Sequence, residues 1–187
     1  MTVADPDILI ALGANLPGAA DAAPVATLEA ALEELERRDI DLLARSGWWE
    51  SAPVPASDQP WYVNGVVAIR TALDPVALLA RLHEIEAGFG RRRGVRNEAR
   101  VLDLDLIAYG AVVRRGPEPP ILPHPRAAER AFVLFPLAEI RPEWRHPETG
   151  AGVRQLIARL PAGQICRPLG KPWENSRPIA VKRPGNP

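Results

Sequence analysis

Asp103 and Asp105 alternate with leucines in Val101-Leu102-Asp103-Leu104-Asp105-Leu106-Ile107, the stretch of this chain whose spacing says most about chemistry. Side chains alternate across a β-strand, so Leu102, Leu104 and Leu106 share one face and the two aspartates share the other. The leucines belong in a core, which turns both carboxylates outward together. Two carboxylates about 5 Å apart repel by roughly 3 kcal/mol at an effective dielectric of about 20, so a strand centre that keeps such a pair wants a cation. Hard oxygen donors on one face suit Mg²⁺, which takes one or two carboxylates plus substrate phosphates. Two metal ions could share the pair. The competing reading is a solvated strand face; the apolar neighbours and a basic loop just upstream weigh against it.

That loop carries Arg91, Arg92, Arg93, Arg96 and Arg100, broken by Gly94 and one acid, Glu98. Guanidinium forks match phosphate oxygens in a bidentate way and stay charged at any relevant pH. A cationic loop that runs into an acidic strand suits a polyphosphate neutralised by metal on one side and by arginine on the other. The sequence has no G-x-x-x-x-G-K-[ST], and Gly88, Gly90 and Gly94 have the wrong spacing and follow a helix. A bound nucleotide would therefore be held by side chains. Three scattered histidines (His83, His124, His146) and the lone Cys166 argue against zinc.

These groups need a scaffold, and the apolar pattern supplies one. Ile8–Leu12 is a short apolar run ended by Gly13, as in a buried strand. Ala20–Arg38 has helical spacing in Val25, Leu28, Leu32 and Leu35. Asp41–Ser51 reads as one strand carrying Trp48 and Trp49, and Trp61–Thr71 as another. Asp74-Pro75 opens a helix, with the aspartate as N-cap and proline at the first helical position, that runs towards Gly88. After the Val101–Tyr109 strand, Gly110 predicts a hairpin into Val112-Val113. Helical segments follow at Ala127–Leu137 and Val153–Leu160. The order predicts an α+β fold: a ferredoxin-like antiparallel sheet with helices packed on one face, plus an extra C-terminal helix and tail. Residues 1–165 are expected to form the domain and residues 166–187, rich in Pro and basic residues, a surface or disordered tail.

Composition narrows the function classes. Lys plus Arg and Asp plus Glu are equal at 23 each, so no net charge draws the chain to nucleic acid or a membrane surface. No apolar run approaches the roughly 20 residues a membrane span needs. A single cysteine permits no intrachain disulfide, and the acidic N-terminus is unlike a secretory signal. The expected setting is the cytoplasm, with small-molecule substrates.

Four segments, in order, resemble the 6-hydroxymethyl-7,8-dihydropterin pyrophosphokinase family of folate biosynthesis. They are Ile10-Ala11-Leu12-Gly13-Ala14-Asn15-Leu16, Asp58-Gln59-Pro60-Trp61-Tyr62-Val63-Asn64, Gly90-Arg91 through Arg100 to Asp105, and Leu122-Pro123-His124-Pro125-Arg126 with Arg130-Ala131-Phe132. The resemblance implies transfer of diphosphate from ATP, the co-substrate, to the pterin hydroxymethyl group, with two Mg²⁺ and AMP as second product. It implies metal ligation by Asp103 and Asp105, and catalytic charge stabilisation by Arg91 and Arg100. It implies ATP contacts from His83, Glu86, Arg93, Arg100, His124 and Arg130. Around the pterin it implies Ser51, Ala52, Val54, Tyr62, Asn64 and Phe132, and it leaves folate-pathway enzymes as candidate partners.

The chain departs from the family pattern at Asn97-Glu98-Ala99, where relatives carry Trp-Gly-Pro, and at Pro125, where some carry tyrosine. Rival readings are a nucleic-acid-binding module on the same sheet, another Mg²⁺-dependent transferase, and a silent pterin-binding relative.

Overall fold

The computed structural model describes residues 7–90 and 99–170. Six strands form one antiparallel sheet: β1 (Ile8–Ala14), β2 (Asp41–Arg45), β3 (Trp49–Ser51), β4 (Tyr62–Arg70), β5 (Asp103–Tyr109) and β6 (Cys166–Pro168). The order across the sheet is β5-β1-β4-β3-β6, with β2 also paired to β4. Four α-helices cover it: α1 (Pro24–Arg37), α2 (Pro75–Gly88), α3 (Ala131–Ile140) and α4 (Val153–Ile157). Among the described residues no helix is long and apolar enough to cross a membrane.

The interior strand β1 is buried along its whole length because it has a core on each side. Ile8, Ile10 and Leu12 pack with Leu28 and Leu35 of α1 and Leu78, Leu82 and Ile85 of α2. Leu9 and Ala11 point the other way, to Val133, Leu134 and Leu137 of α3 and Val153 of α4. The helices thus form two layers with the sheet between them, which corrects the expectation of a single covered face. The second layer was hard to read because Ala131-Phe132-Val133-Leu134-Phe135-Pro136-Leu137 is apolar all round and shows no amphipathic stripe.

The predicted strand Asp41–Ser51 is two strands. Arg45 pairs with Val67 and Trp49 with Asn64, so β2 and β3 use one residue more than β4 does. At this bulge Ser46 Oγ accepts from the Val66 amide at 3.0 Å. The break sends adjacent tryptophans to opposite faces. Trp48 donates its indole N–H to Glu29 of α1 at 2.9 Å, and Trp49 donates to Glu139 of α3 at 3.1 Å. Gly65 lies under the Trp48 ring, where an added Cβ would stand 2.6 Å from Cζ3. Gly65→Ala is expected to cost about 1–3 kcal/mol by overpacking, measured as a lower midpoint in urea unfolding.

Helix α2 begins as its sequence predicts, with Asp74 accepting from the amides of Val76 and Ala77 at 2.8 and 3.0 Å. The predicted hairpin into Val112-Val113 does not form; Gly110 turns the chain with φ of 54°, and only an isolated bridge joins Arg114 to Leu122. Cys166–Pro168, expected in the tail, pair with β3 as the sheet's sixth strand.

Candidate active site

Antiparallel register lays the site out in rows. Asp103 of β5 is opposite Gly13 of β1, Gly13 is opposite Asn64 of β4, and Asn64 is opposite Trp49 of β3. One strand spacing is about 4.8 Å, so Asp103 and Asn64 stand about 10 Å apart with only glycine between them. Asp105, Ala11 and Val66 form the next row. This face of the sheet is the one α3 and α4 cover elsewhere. The floor of the gap is flat because Gly13 has no side chain; an added Cβ would sit 3.2 Å from Asn64 Oδ1.

Above these rows lies a cavity of about 270 Å³. Asp103 and Asp105 line one side together with Arg100, Arg126, Arg130 and Phe132; Ser51, Ala52, Val54, Tyr62 and Asn64 line the other. The leucines between the aspartates do go to the core, with Leu102, Leu104 and Leu106 packed beneath α1 and α2. The alternation read from the sequence is therefore present in the fold.

Each carboxylate faces a guanidinium. Arg100 lies 2.5 Å from Asp103, and Arg130 lies 3.3 Å from Asp105. Burial works against the charge on Arg100, but Asp103 and, behind it, Asp105 outweigh burial and raise its pKa above the ordinary value. For Arg130 burial wins over the attraction of Asp105 and the pKa falls. His124 sits in the same field. Its burial, which the negative charge of Asp105 only partly offsets, lowers its pKa, so the ring is neutral at pH 7. Its Nδ1 accepts from the Arg126 amide at 3.2 Å, which leaves the proton of the neutral ring on Nε2.

On the opposite wall, Asn64 is nearly buried and donates from Nδ2 to Ser51 Oγ at 3.0 Å. Its Oδ1 accepts no hydrogen bond from the described residues. Tyr62 donates its hydroxyl to Gln59 at 3.2 Å, and burial raises its pKa. The Arg130 guanidinium lies 5.3 Å from the centre of the Phe132 ring.

Three of the expected nucleotide contacts, His124, His83 and Glu86, do not line this cavity. His83 is half-buried on α2. Glu86 is 2% exposed, and its carboxylate accepts from the Leu104 amide at 2.7 Å. β5 is an edge strand, so Leu104 turns an unpaired N–H outward between the two aspartates, and Glu86 satisfies it. Arg91 and Arg93 lie outside the described residues, as do Arg92, Arg96, Asn97, Glu98 and residues 171–187.

Asn15, quoted in the opening motif but given no role, joins the two walls. Its Oδ1 accepts from the Arg100 amide at 2.7 Å, and its Nδ2 donates to Pro60 O at 3.1 Å and to Gln59 at 3.3 Å. Its own amide and that of Leu16 donate to the Arg100 carbonyl at 3.0 and 3.1 Å. The side chain is 2% exposed. Asn15→Ala leaves the Arg100 N–H and Pro60 C=O unpaired, at about 1–3 kcal/mol for each buried group. The expected result is a lower thermal midpoint together with a loss of whatever depends on Arg100, read by calorimetry and by turnover on one preparation.

Residues 9–142 match the family model of 7,8-dihydro-6-hydroxymethylpterin-pyrophosphokinase (HPPK). The chain is 39% identical over 161 residues to the 2-amino-4-hydroxy-6-hydroxymethyldihydropteridine pyrophosphokinase of Pseudomonas aeruginosa, covering 86% of this chain and 95% of that one. It is 41% identical over 160 residues to the protein of the same name from Methylorubrum extorquens, covering 84% and 96%. Among solved structures, wild-type Plasmodium falciparum HPPK-DHPS superposes with a TM-score of 0.62 at 13% identity, over 82% of this chain and 44% of that one. Motif, register and these likenesses agree, and the chain belongs to the HPPK family.

Proposed function

We propose that this chain transfers the terminal diphosphate of ATP to the hydroxymethyl group of 6-hydroxymethyl-7,8-dihydropterin, releasing AMP, on a ferredoxin-like sheet. The observation that carries the reading is the row Asp103–Gly13–Asn64, which sets a carboxylate pair and a buried amide across one open floor. A flat heteroaromatic with amide-like edges wants aromatic faces and a few amide partners. Asn64 offers a carbonyl oxygen, Tyr62 and Phe132 offer rings, and Ser51, Ala52 and Val54 complete the wall.

Asp103 and Asp105 are the residues that would hold magnesium. Both line the cavity from one strand, and one or two carboxylates beside substrate phosphates is the donor set that suits magnesium. When bound, such an ion supplies charge neutralisation and Lewis acidity at the phosphates; the family resemblance implies two ions. The protein's own contribution is positioning. Arg100 and Arg130 exchange their carboxylate partners for phosphate oxygens, which draws the arginines toward the transferring group. Arg91 and Arg93 add to this cationic wall by resemblance. His124, with its proton on Nε2, donates to the nucleotide. Glu86 holds the strand between the metal-binding aspartates, and His83 borders the nucleotide side.

The attack is by the substrate hydroxyl on the β-phosphorus in line with the departing AMP, a type of transfer driven by positioning and electrostatics. No protein base is assigned. Incubating the protein with ATP, Mg²⁺ and the hydroxymethyl-dihydropterin should give AMP and pterin diphosphate in equal amounts. Release of ADP, or of free diphosphate with AMP, would overturn the reading.

A further inference from the structure

The cavity walls come from distant stretches, Ser51–Tyr62 on one side and Arg126–Phe132 on the other, and one short segment bonds to both. Gln164 uses its whole amide on the second wall: Oε1 accepts from the Ala131 amide at 2.9 Å, and Nε2 donates to Glu129 O at 2.8 Å. Ala131 is the first residue of α3, and no neighbouring side chain caps that helix. Gln164 therefore supplies the missing cap from 33 residues away. The two residues flanking Ala131, Arg130 and Phe132, both line the cavity.

The residues that follow hold the first wall. Ile165 O accepts from the Ala52 amide at 3.1 Å. Cys166, Arg167 and Pro168 pair in register with Ser51, Glu50 and Trp49. Arg167 also bonds Glu50 at 2.6 Å and lies 5.0 Å from the centre of the Trp61 ring. Ser51 and Ala52 line the cavity directly. Thus a run of four residues ties the start of α3 to the end of β3.

We propose that Gln164–Arg167 is a strap that sets the separation of the two cavity walls, with Gln164 a positioning residue for Phe132. The role in catalysis rests on the pterin reading above. The mechanism is distance control. A flat ligand gripped between Asn64 and Phe132 loses contact if either wall drifts, whereas chemistry on molecules that have bound proceeds nearly as before.

Gln164→Met keeps the length and removes both bonds; Gln164→Glu keeps the acceptor for Ala131 and removes the donor to Glu129. In Gln164→Met the KM and Kd for the hydroxymethyl-dihydropterin should rise about tenfold, the scale of a lost helix cap. Its kcat at saturation should stay within about threefold of the parent on that account. Gln164→Glu should recover part of the affinity. Amide exchange in Gln164→Met should quicken both at residues 131–134 and at Ala52, on the other wall. An unchanged KM, a fall in kcat alone, or faster exchange at 131–134 without any change at Ala52 would overturn the strap. If the parent protein neither binds nor converts a pterin, the functional reading fails instead, and the exchange data alone decide the strap.

Discussion

Asp105→Asn should cut AMP release at least about a hundredfold while the protein still folds. Asparagine has the same shape as aspartate but lacks the charge and offers one oxygen in place of two, so it is a poor partner for a hard dication. The side chain sits on the open face of edge strand β5 and not in the core. It pairs with Arg130 at 3.3 Å, a long and partly exposed ion pair whose loss costs about 1 kcal/mol or less. The leucines that anchor the strand, Leu104 and Leu106, are untouched. A suitable control is Asp41→Asn, which removes an exposed pair with Arg70 on β2, far from the cavity. Turnover followed by AMP chromatography and thermal melts followed by circular dichroism separate the two effects. Near-normal AMP release from Asp105→Asn would remove the metal assignment and, with it, the reason for the paired aspartates.

What could be read in the sequence was whatever has a short period. The Leu-Asp-Leu-Asp alternation told the face of each side chain, because a strand's period of two admits one solution once the leucines are buried. The start of α2 was equally legible, since Asp74-Pro75 combines a cap with a preset φ. Features made by long-range pairing were not legible. β6 is three residues, Cys166-Arg167-Pro168, with neither alternation nor length; it is a strand only because Trp49–Ser51 offers an edge. The bulge at Ser46–Trp48 has only Gly47 as a local sign, and its place shows when the register with β4 is counted. The same limit applies to the site. Side chains proposed to meet ligands, such as Asp103, Asn64 and Phe132, carry the motif, whereas Asn15 and Gln164 act through backbone groups 85 and 33 residues away and announce nothing in their own neighbourhood. Glu86 falls between these cases. It was expected among the nucleotide contacts, and its carboxylate instead holds the strand that carries the aspartates.

Arg100→Ala should lower kcat by about 30- to 1000-fold, equivalent to about 2–4 kcal/mol of lost transition-state stabilisation. Arg100 holds Asp103 at 2.5 Å, and its backbone is fixed on both sides by Asn15. The guanidinium is thus aimed at the carboxylates, and only the side chain has to turn to reach a phosphate. An interaction of that kind grows as negative charge builds on the transferring group, so its loss should appear in kcat and kcat/KM together. The same deletion takes a competing cation away from Asp103, so the Mg²⁺ concentration giving half-maximal rate should not rise. The two readouts pull apart the alternatives. A change confined to the KM for ATP would reduce Arg100 to a binding contact. A rise in the Mg²⁺ requirement would mean that the arginine supports the metal site instead of exchanging with it. Arg100→Lys keeps the charge without the planar fork and should recover only part of the rate, because a point charge cannot hold two phosphate oxygens at once.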